Sequence, residues 1–170
     1  MEVGSIRERI IVALLIYIFG EDNIISNIPI TKSEIDVIVK DNPISIKTIT
    51  SSNFSGIKLI WTVDSISANL FRNNYLPNYD MIIVQINWNK IGGFYYIPKE
   101  VQLDVFYKIG KDNYLKMPKE GTNPRGVELA TNALKEILQD NKTCKIEIAW
   151  RKERINFNAY DKWIELWKQK

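Results

Sequence analysis

Apolar and polar residues alternate most clearly in EIDVIVKDNPISIKTIT, Glu34 to Thr50. Two runs of period two are joined there by Asp-Asn-Pro, which predicts a β-hairpin with strands at about 34–40 and 44–50. A turn centred on Asp41 and Asn42 sets Asp36 almost opposite Lys47, and Ser45 and Lys47, two residues apart, share a face beside it. Upstream, Ser5 is placed to cap a helix that carries Glu8 in its first turn and runs to Phe19, with Gly20 as its stop. Downstream, IKLIWTVD (Ile57 to Asp64) reads as a third strand and SISANLFRNN as a short helix ending at a turn with Pro77. YDMIIVQINW then reads as a strand apolar enough to be buried on both faces. The predicted order is α-β-β-β-α-β.

The second half continues the α/β character. NKIGG reads as a turn, FYYIPKEVQLDVFYKIG is compatible with strand or mixed structure, and CKIEIAW reads as a strand. NPRGVELATNALKEILQD predicts a helix capped by Asn123, with Pro124 in its first position and an apolar stripe of Val127, Leu134, Ile137 and Leu138. AYDKWIELWKQK predicts a final amphipathic helix in which Trp163 and Trp167, four apart, pack. A length of 170 residues, 45% of them hydrophobic, suits one domain over 1–170. The αβββαβ part spans about 5–90, and strand and helix additions fill about 91–170.

Composition narrows the chemistry. The chain has one cysteine, Cys144, and no histidine. An internal disulfide, a Cys/His zinc site and His-based nucleophilic catalysis are thereby excluded, and any metal has to sit on oxygen ligands, as Mg²⁺ or Mn²⁺ do. Ile10–Phe19 is too short to cross a bilayer and lacks a following cleavage pattern, so a buried helix and a cytoplasmic protein are expected. A net charge of +3 and a pI near 8.8 are permissive of a nucleic-acid partner without requiring one.

In the hairpin, one carboxylate (Asp36) beside one ammonium (Lys47) can hold a divalent cation and orient or deprotonate a water, which are the parts that phosphodiester hydrolysis needs. A cross-strand ion pair on a solvated face explains the same residues.

The α-β-β-β-α-β order, with Asp36 on the second element and SIK (Ser45 to Lys47) on the third, resembles the core of the PD-(D/E)xK nuclease superfamily. That likeness implies a restriction-endonuclease-like mixed sheet flanked by helices. The superfamily pattern has Glu or Asp where this chain has Ser45, so one metal ligand is displaced, and Glu8 on the first helix is the candidate replacement. A first-turn Glu favoured by the helix dipole is the alternative for Glu8. ISIKT and NPRGVEL, with IKLIWTVD, YDMIIVQINW and GGFYYIP, are similar to the ThaI-type family of type II restriction endonucleases over roughly residues 30 to 140. This resemblance implies Mg²⁺-dependent cleavage of a short double-stranded DNA site, by a monomer or homodimer, with a DNA methyltransferase protecting the host. It assigns Asp36 and Glu8 to the metal, Lys47 to the attacking water, and Ser45 to the same shell.

Two further segments carry types that contact DNA. KEGTNPRGVE places Lys119, Asn123 and Arg125 around the predicted helix start, where free backbone N–H groups accept phosphate. WRKERINFN adds Arg151 beside an aromatic residue and two Asn. Ordinary capping and a charged surface connection are the alternatives. Asp64 reads as a helix N-cap. The loss of the carboxylate at Ser45 also supports a second reading, a non-catalytic nucleic-acid-binding domain on a degenerate nuclease core, beside a repair nuclease and a scaffold with no nucleic-acid role.

Overall fold

A computed structural model of the protein describes residues 3–28, 34–62, 64–119, 126–152 and 159–168. Its centre is a six-stranded mixed sheet in the order β1-β2-β3-β5-β6-β9. The strands are β1 (Ile24–Ile25), β2 (Val37–Val39), β3 (Asn42–Ile49), β5 (Asp80–Gln85), β6 (Ile91–Ile97) and β9 (Cys144–Ala149). Only the β3–β5 pair is parallel; every other neighbour in this sheet is antiparallel. A parallel pair needs a long crossover, and the chain between Ile49 and Asp80 supplies it with β4 (Lys58–Ile60) and helix α2 (Ser65–Asn74).

The hairpin forms as the alternation requires, but its turn lies one residue earlier than expected. Lys40 and Asp41 take φ of 47° and 66°, the left-handed pair of a two-residue turn whose twist matches the strands it joins. Val39 therefore pairs with Asn42 and Val37 with Ile44. Asp36 comes to stand across from Ser45, two positions away from the partner first expected, Lys47.

Helix α1 (Val3–Phe19) covers one face of the sheet. It begins ahead of Ser5, so Ser5 lies within the first turn and is not the N-cap. Leu15 is buried with Val37, Val39, Ile44, Ile46, Ile82 and Val84, and Ile11, Val12 and Ile16 pack against that cluster. The Arg7 guanidinium donates to Thr50 Oγ1 at 2.6 Å, which fixes the N-terminal end of the helix at the far end of β3. The expected burial is one-sided, since Ile10, Tyr17 and Ile18 are exposed. No described helix is long and apolar enough to cross a membrane.

The opposite face packs against α3 (Lys99–Ile109), the short α4 (Lys111–Tyr114), α5 (Thr131–Gln139) and a three-stranded sheet in the order β4-β8-β7. This small sheet corrects two expectations. The third predicted strand, β4, leaves the central sheet and pairs with β8 (Val127–Leu129), which also pairs with β7 (Leu115–Lys116). Val127 is accordingly a strand residue, and the helix starts only at Thr131, with Ala130 at a cap position that makes no side-chain hydrogen bond. Period two wins locally because Val127 and Leu129 are fully buried while Glu128 between them turns to Lys58 at 3.1 Å and Lys116 at 2.9 Å. The rest of the predicted stripe holds, with Leu134 and Ile137 buried and Leu138 packed beside them.

The remaining elements fall close to their expected places. β5 is buried on both faces, α2 ends before Pro77, and its N-cap is Asp64, which accepts from the Ser67 amide at 2.6 Å. The Gly pair of NKIGG lies inside β6 and not in a turn, because Trp150 folds over it to donate to the Gln85 carbonyl at 2.7 Å. A Cβ on Gly92 would stand 2.2 Å from that same oxygen. Helix α6 (Ala159–Lys168) forms, with Ile164, Leu166 and Trp167 exposed, and the side chain of Trp163 lies outside the described residues.

Candidate active site

β2 begins at Val37, and the chain ahead of it bends away from β3 at Asp36. The Asp36 amide still donates to the Ile44 carbonyl at 3.0 Å, while its carboxylate takes over the role of a departing strand. Asp36 Oδ2 accepts from the Ile46 amide at 2.6 Å and from the Ser45 hydroxyl at 3.3 Å, and Lys47 Nζ lies 3.7 Å from the same oxygen. Three of the residues named from the sequence, Asp36, Ser45 and Lys47, are thus brought together by one bend.

Ser45 is 7% exposed, and the Asp36 and Lys47 side chains are 22% and 16% exposed. Ions this sheltered are screened less by solvent than surface pairs are. β5 supplies the floor, with Met81 beside Ser45 and Ile83 beside Lys47. A small cavity of about 20 Å³ opens between Glu34, Ser45 and Lys47 on one side and Tyr75, Tyr79 and Gln102 on the other. The wall is braced by Gln102, itself buried, whose amide donates to the Tyr79 carbonyl at 2.8 Å.

Glu34, which the sequence reading did not single out, lies in a turn ahead of β2 and lines the same cavity as Ser45 and Lys47. Burial pushes its carboxyl above the usual carboxylate range, and the Lys47 ammonium opposes that only in part. Glu8 stands on α1 one helical turn before Ile11 and Val12, beside Arg7, whose guanidinium reaches Thr50 just past the end of β3. It is not among the residues that line the cavity.

The donor set suits a hard divalent ion. Mg²⁺ takes oxygen ligands, is commonly held by one or two carboxylates, and completes its shell with waters and phosphate oxygens. Asp36 and Glu34 provide carboxylate oxygens in a setting without thiols or imidazoles. Among the described residues no group of three or more acidic, Cys or His side chains forms a metal cage, so the ion would depend on the phosphate for the rest of its shell.

Of the expected DNA contacts, Lys119 and Arg151 are exposed and follow β7 and β9. Asn123 and Arg125 lie outside the described residues. The described helix α5 begins at Thr131.

A mixed sheet with this order, flanked by helices, is the fold of a restriction endonuclease. The chain matches the family of restriction endonuclease ThaI over residues 1–169, and it belongs to that family. A solved structure described as a restriction endonuclease in complex with substrate DNA superposes with a TM-score of 0.93 at 54% sequence identity, covering 100% of this chain and 82% of the other. No curated protein sequence matches the chain.

Proposed function

We propose that this restriction endonuclease hydrolyses phosphodiester bonds at a short double-stranded DNA site with Mg²⁺, or Mn²⁺ in its place, and that residues 1–170 act as one nuclease unit. The observation that carries the reading is the Asp36–Lys47 contact beside Ser45 at the point where β2 leaves β3. A carboxylate and an ammonium are held there within 4 Å, the ammonium at the wall of a small open cavity. When bound, the cation neutralises charge on the scissile phosphate and acidifies its coordinated water.

The chain's own residues perform the remaining work. The three contacts to Asp36 converge on Oδ2, so Oδ1 is the oxygen that would be left to hold a cation. The Ile46 amide and the Ser45 hydroxyl fix the carboxylate plane, which keeps that oxygen aimed without reorganisation during the reaction. Lys47 presents its ammonium to the attacking water and to the phosphorane charge that develops next to it. Glu8 is the ligand that the family resemblance implies from the α1 side. Lys119, Arg151, Asn123 and Arg125 are assigned to phosphate and base contacts. A cytoplasmic setting, assembly as a monomer or homodimer, and a methyltransferase that protects the same site complete the reading.

Unmethylated plasmid or phage DNA incubated with the protein, with and without Mg²⁺, tests it. Discrete fragments that require the metal are expected. DNA that stays intact with Mg²⁺ and with Mn²⁺, while still bound by the protein, would return the chain to a non-catalytic DNA-binding role.

A further inference from the structure

β9 ends the six-stranded sheet at the edge away from the catalytic hairpin, and among the described residues no strand pairs with its outer side. From Cys144 to Ala149 it pairs with β6 without a break in register, so no bulge twists the edge away. The Trp150 amide donates to the Lys90 carbonyl, and main-chain groups alternate in direction along an antiparallel ladder. Those of Ile148, Ile146 and Cys144 therefore turn to β6, and those of Lys145, Glu147 and Ala149 turn outward. The side chains alternate as well. Ile146 and Ile148 form one side of an apolar groove of about 520 Å³ whose other walls include Leu14, Ile18 and Phe19 of α1, and Ile146 is 64% exposed. Lys145 and Glu147 lie on the opposite face, ion-paired at 2.8 Å.

We propose that this edge receives a second copy of the chain, β9 pairing antiparallel with β9 about a two-fold axis that passes between the two Ile146 residues. A two-fold contact presents the same strand to itself, so the register alone sets each residue's partner. The outward main-chain groups meet only where Lys145, Glu147 and Ala149 oppose one another. With the axis at Ile146, Lys145 of each copy opposes Glu147 of the other, and the two Ile146 side chains meet as a close, non-hydrogen-bonded pair on the apolar face. Moving the axis to Lys145 sets lysine against lysine, and moving it to Glu147 sets glutamate against glutamate. Charge thus selects one register. The same pairing brings the two apolar grooves together at the axis, where each Ile146 leaves solvent. β5 and β6 stand between β9 and β3, so the Asp36–Lys47 cavity stays uncovered. The competing role for Lys145 and Glu147 is to keep a lone edge solvated. The proposal names a face for the homodimer and needs none of the cleavage chemistry, so its failure would leave the cleavage reading standing.

Sedimentation equilibrium of the DNA-free protein tests it with wild type, Lys145→Glu, Glu147→Lys and the double variant Lys145→Glu/Glu147→Lys, all of which alter exposed side chains. The wild type should dimerise. Each single variant sets like charges against each other in both cross-strand pairs and should raise the dissociation constant by roughly tenfold. The double variant, and an equimolar mixture of the two single variants, restore opposite charges across the axis and should regain the wild-type affinity. Recovery in the mixture cannot come from a charge pair within one chain. In a Cys144→Ser background, mild oxidation should link Ile146→Cys into a disulfide dimer and leave Ile148→Cys unlinked, because residue 148 opposes position 144 of the second copy. A wild type that stays monomeric at every concentration would overturn the proposal and leave the edge solvated. A dimer of unchanged affinity in both single variants would overturn it by placing the contact on another face, and linkage at position 148 in preference to 146 would overturn the register.

Discussion

The Ile46 amide donates to Asp36 Oδ2 at 2.6 Å, so a side-chain carboxylate continues the ladder at the place where β2 has already left β3. Asp36 therefore has a structural and a chemical duty, and two substitutions separate them. Asp36→Asn keeps an oxygen for the Ile46 amide and removes the charge, whereas Asp36→Ala leaves that amide without its acceptor. Cleavage should be lost in both, but only Asp36→Ala should lose about 1–3 kcal/mol of folding stability, the cost of an unsatisfied buried donor. Urea unfolding of the two proteins checks this, and equal stabilities would show that the hydrogen bond contributes nothing.

Lys47→Ala should lower the cleavage rate by roughly 10²–10⁴-fold, the usual contribution of a positioned acid–base group, while duplex binding stays nearly intact. Phosphate contacts spread over the rest of the surface supply most of the affinity. Single-turnover cleavage and an electrophoretic binding assay on the same preparation measure both quantities. A variant that cuts at the wild-type rate removes Lys47 from the attacking water.

The hairpin also shows how far the chain could be read without coordinates. Alternation located both strands and gathered Asp36, Ser45 and Lys47 on one face, because a period of two survives an error of one residue in the turn. Register does not survive it. Moving the turn from Asp41–Asn42 to Lys40–Asp41 shifts every cross-strand partner by two, so Asp36 meets Ser45 where Lys47 was expected. The turn was hard to place because Lys40 is an uncommon residue for a left-handed position, while Asp-Asn-Pro offers the ordinary turn residues one step later. A similar conflict sits at Val127–Leu129, where three residues of strand precede a helix. Read together with Leu134 and Ile137, Val127 fits a 3.6 period, and only the buried β4 neighbour decides for the strand. No local signal tells that β4 abandons the central sheet, since its pairing with β8 spans about seventy residues of chain.

The turn itself can be improved. Lys40 and Asp41 hold φ of 47° and 66°, a region where a side chain costs roughly 1–2 kcal/mol and where Asn-Gly is the favoured pair. Lys40→Asn/Asp41→Gly should stabilise the protein by about 1 kcal/mol and leave cleavage unchanged, because neither residue lines the cavity. A higher urea midpoint with an unaltered slope is the expected result; a lower midpoint would mean that the side chains make compensating contacts.

Arg125 and the pair Lys119 and Arg151 are separated by how DNA binding responds to salt and sequence. If Arg125 reads a base edge, Arg125→Ala should weaken specific binding by about 1–3 kcal/mol and reduce discrimination between sites. Lys119→Ala and Arg151→Ala should weaken all duplexes alike and lower the slope of log K against log salt by about one each, as the loss of a phosphate contact does. Binding isotherms at several salt concentrations on specific and non-specific duplexes distinguish these outcomes. An Arg151→Ala protein with an unchanged slope takes that residue out of the interface.

Glu128 makes stability depend on pH through the small sheet. Burial works against its charge, but hydrogen bonds from Lys116 and Lys58 outweigh burial and hold its carboxyl below the usual carboxylate range. A carboxylate lowered in the folded state binds its proton more weakly there than in the unfolded chain, so acid favours unfolding. Its stabilisation is fully present above the unfolded value near 4.5 and is lost as pH falls through the lower, folded value. Glu128→Gln should therefore be less stable than wild type at neutral pH, by ~1 kcal/mol for a sheltered pair of this kind, and the two proteins should converge as acid protonates Glu128 in both states of the wild type. Unfolding midpoints of both proteins from neutral pH down to acid trace the difference. A gap of constant size across that range would mean that Glu128 holds β4, β7 and β8 together by packing and not by its charge.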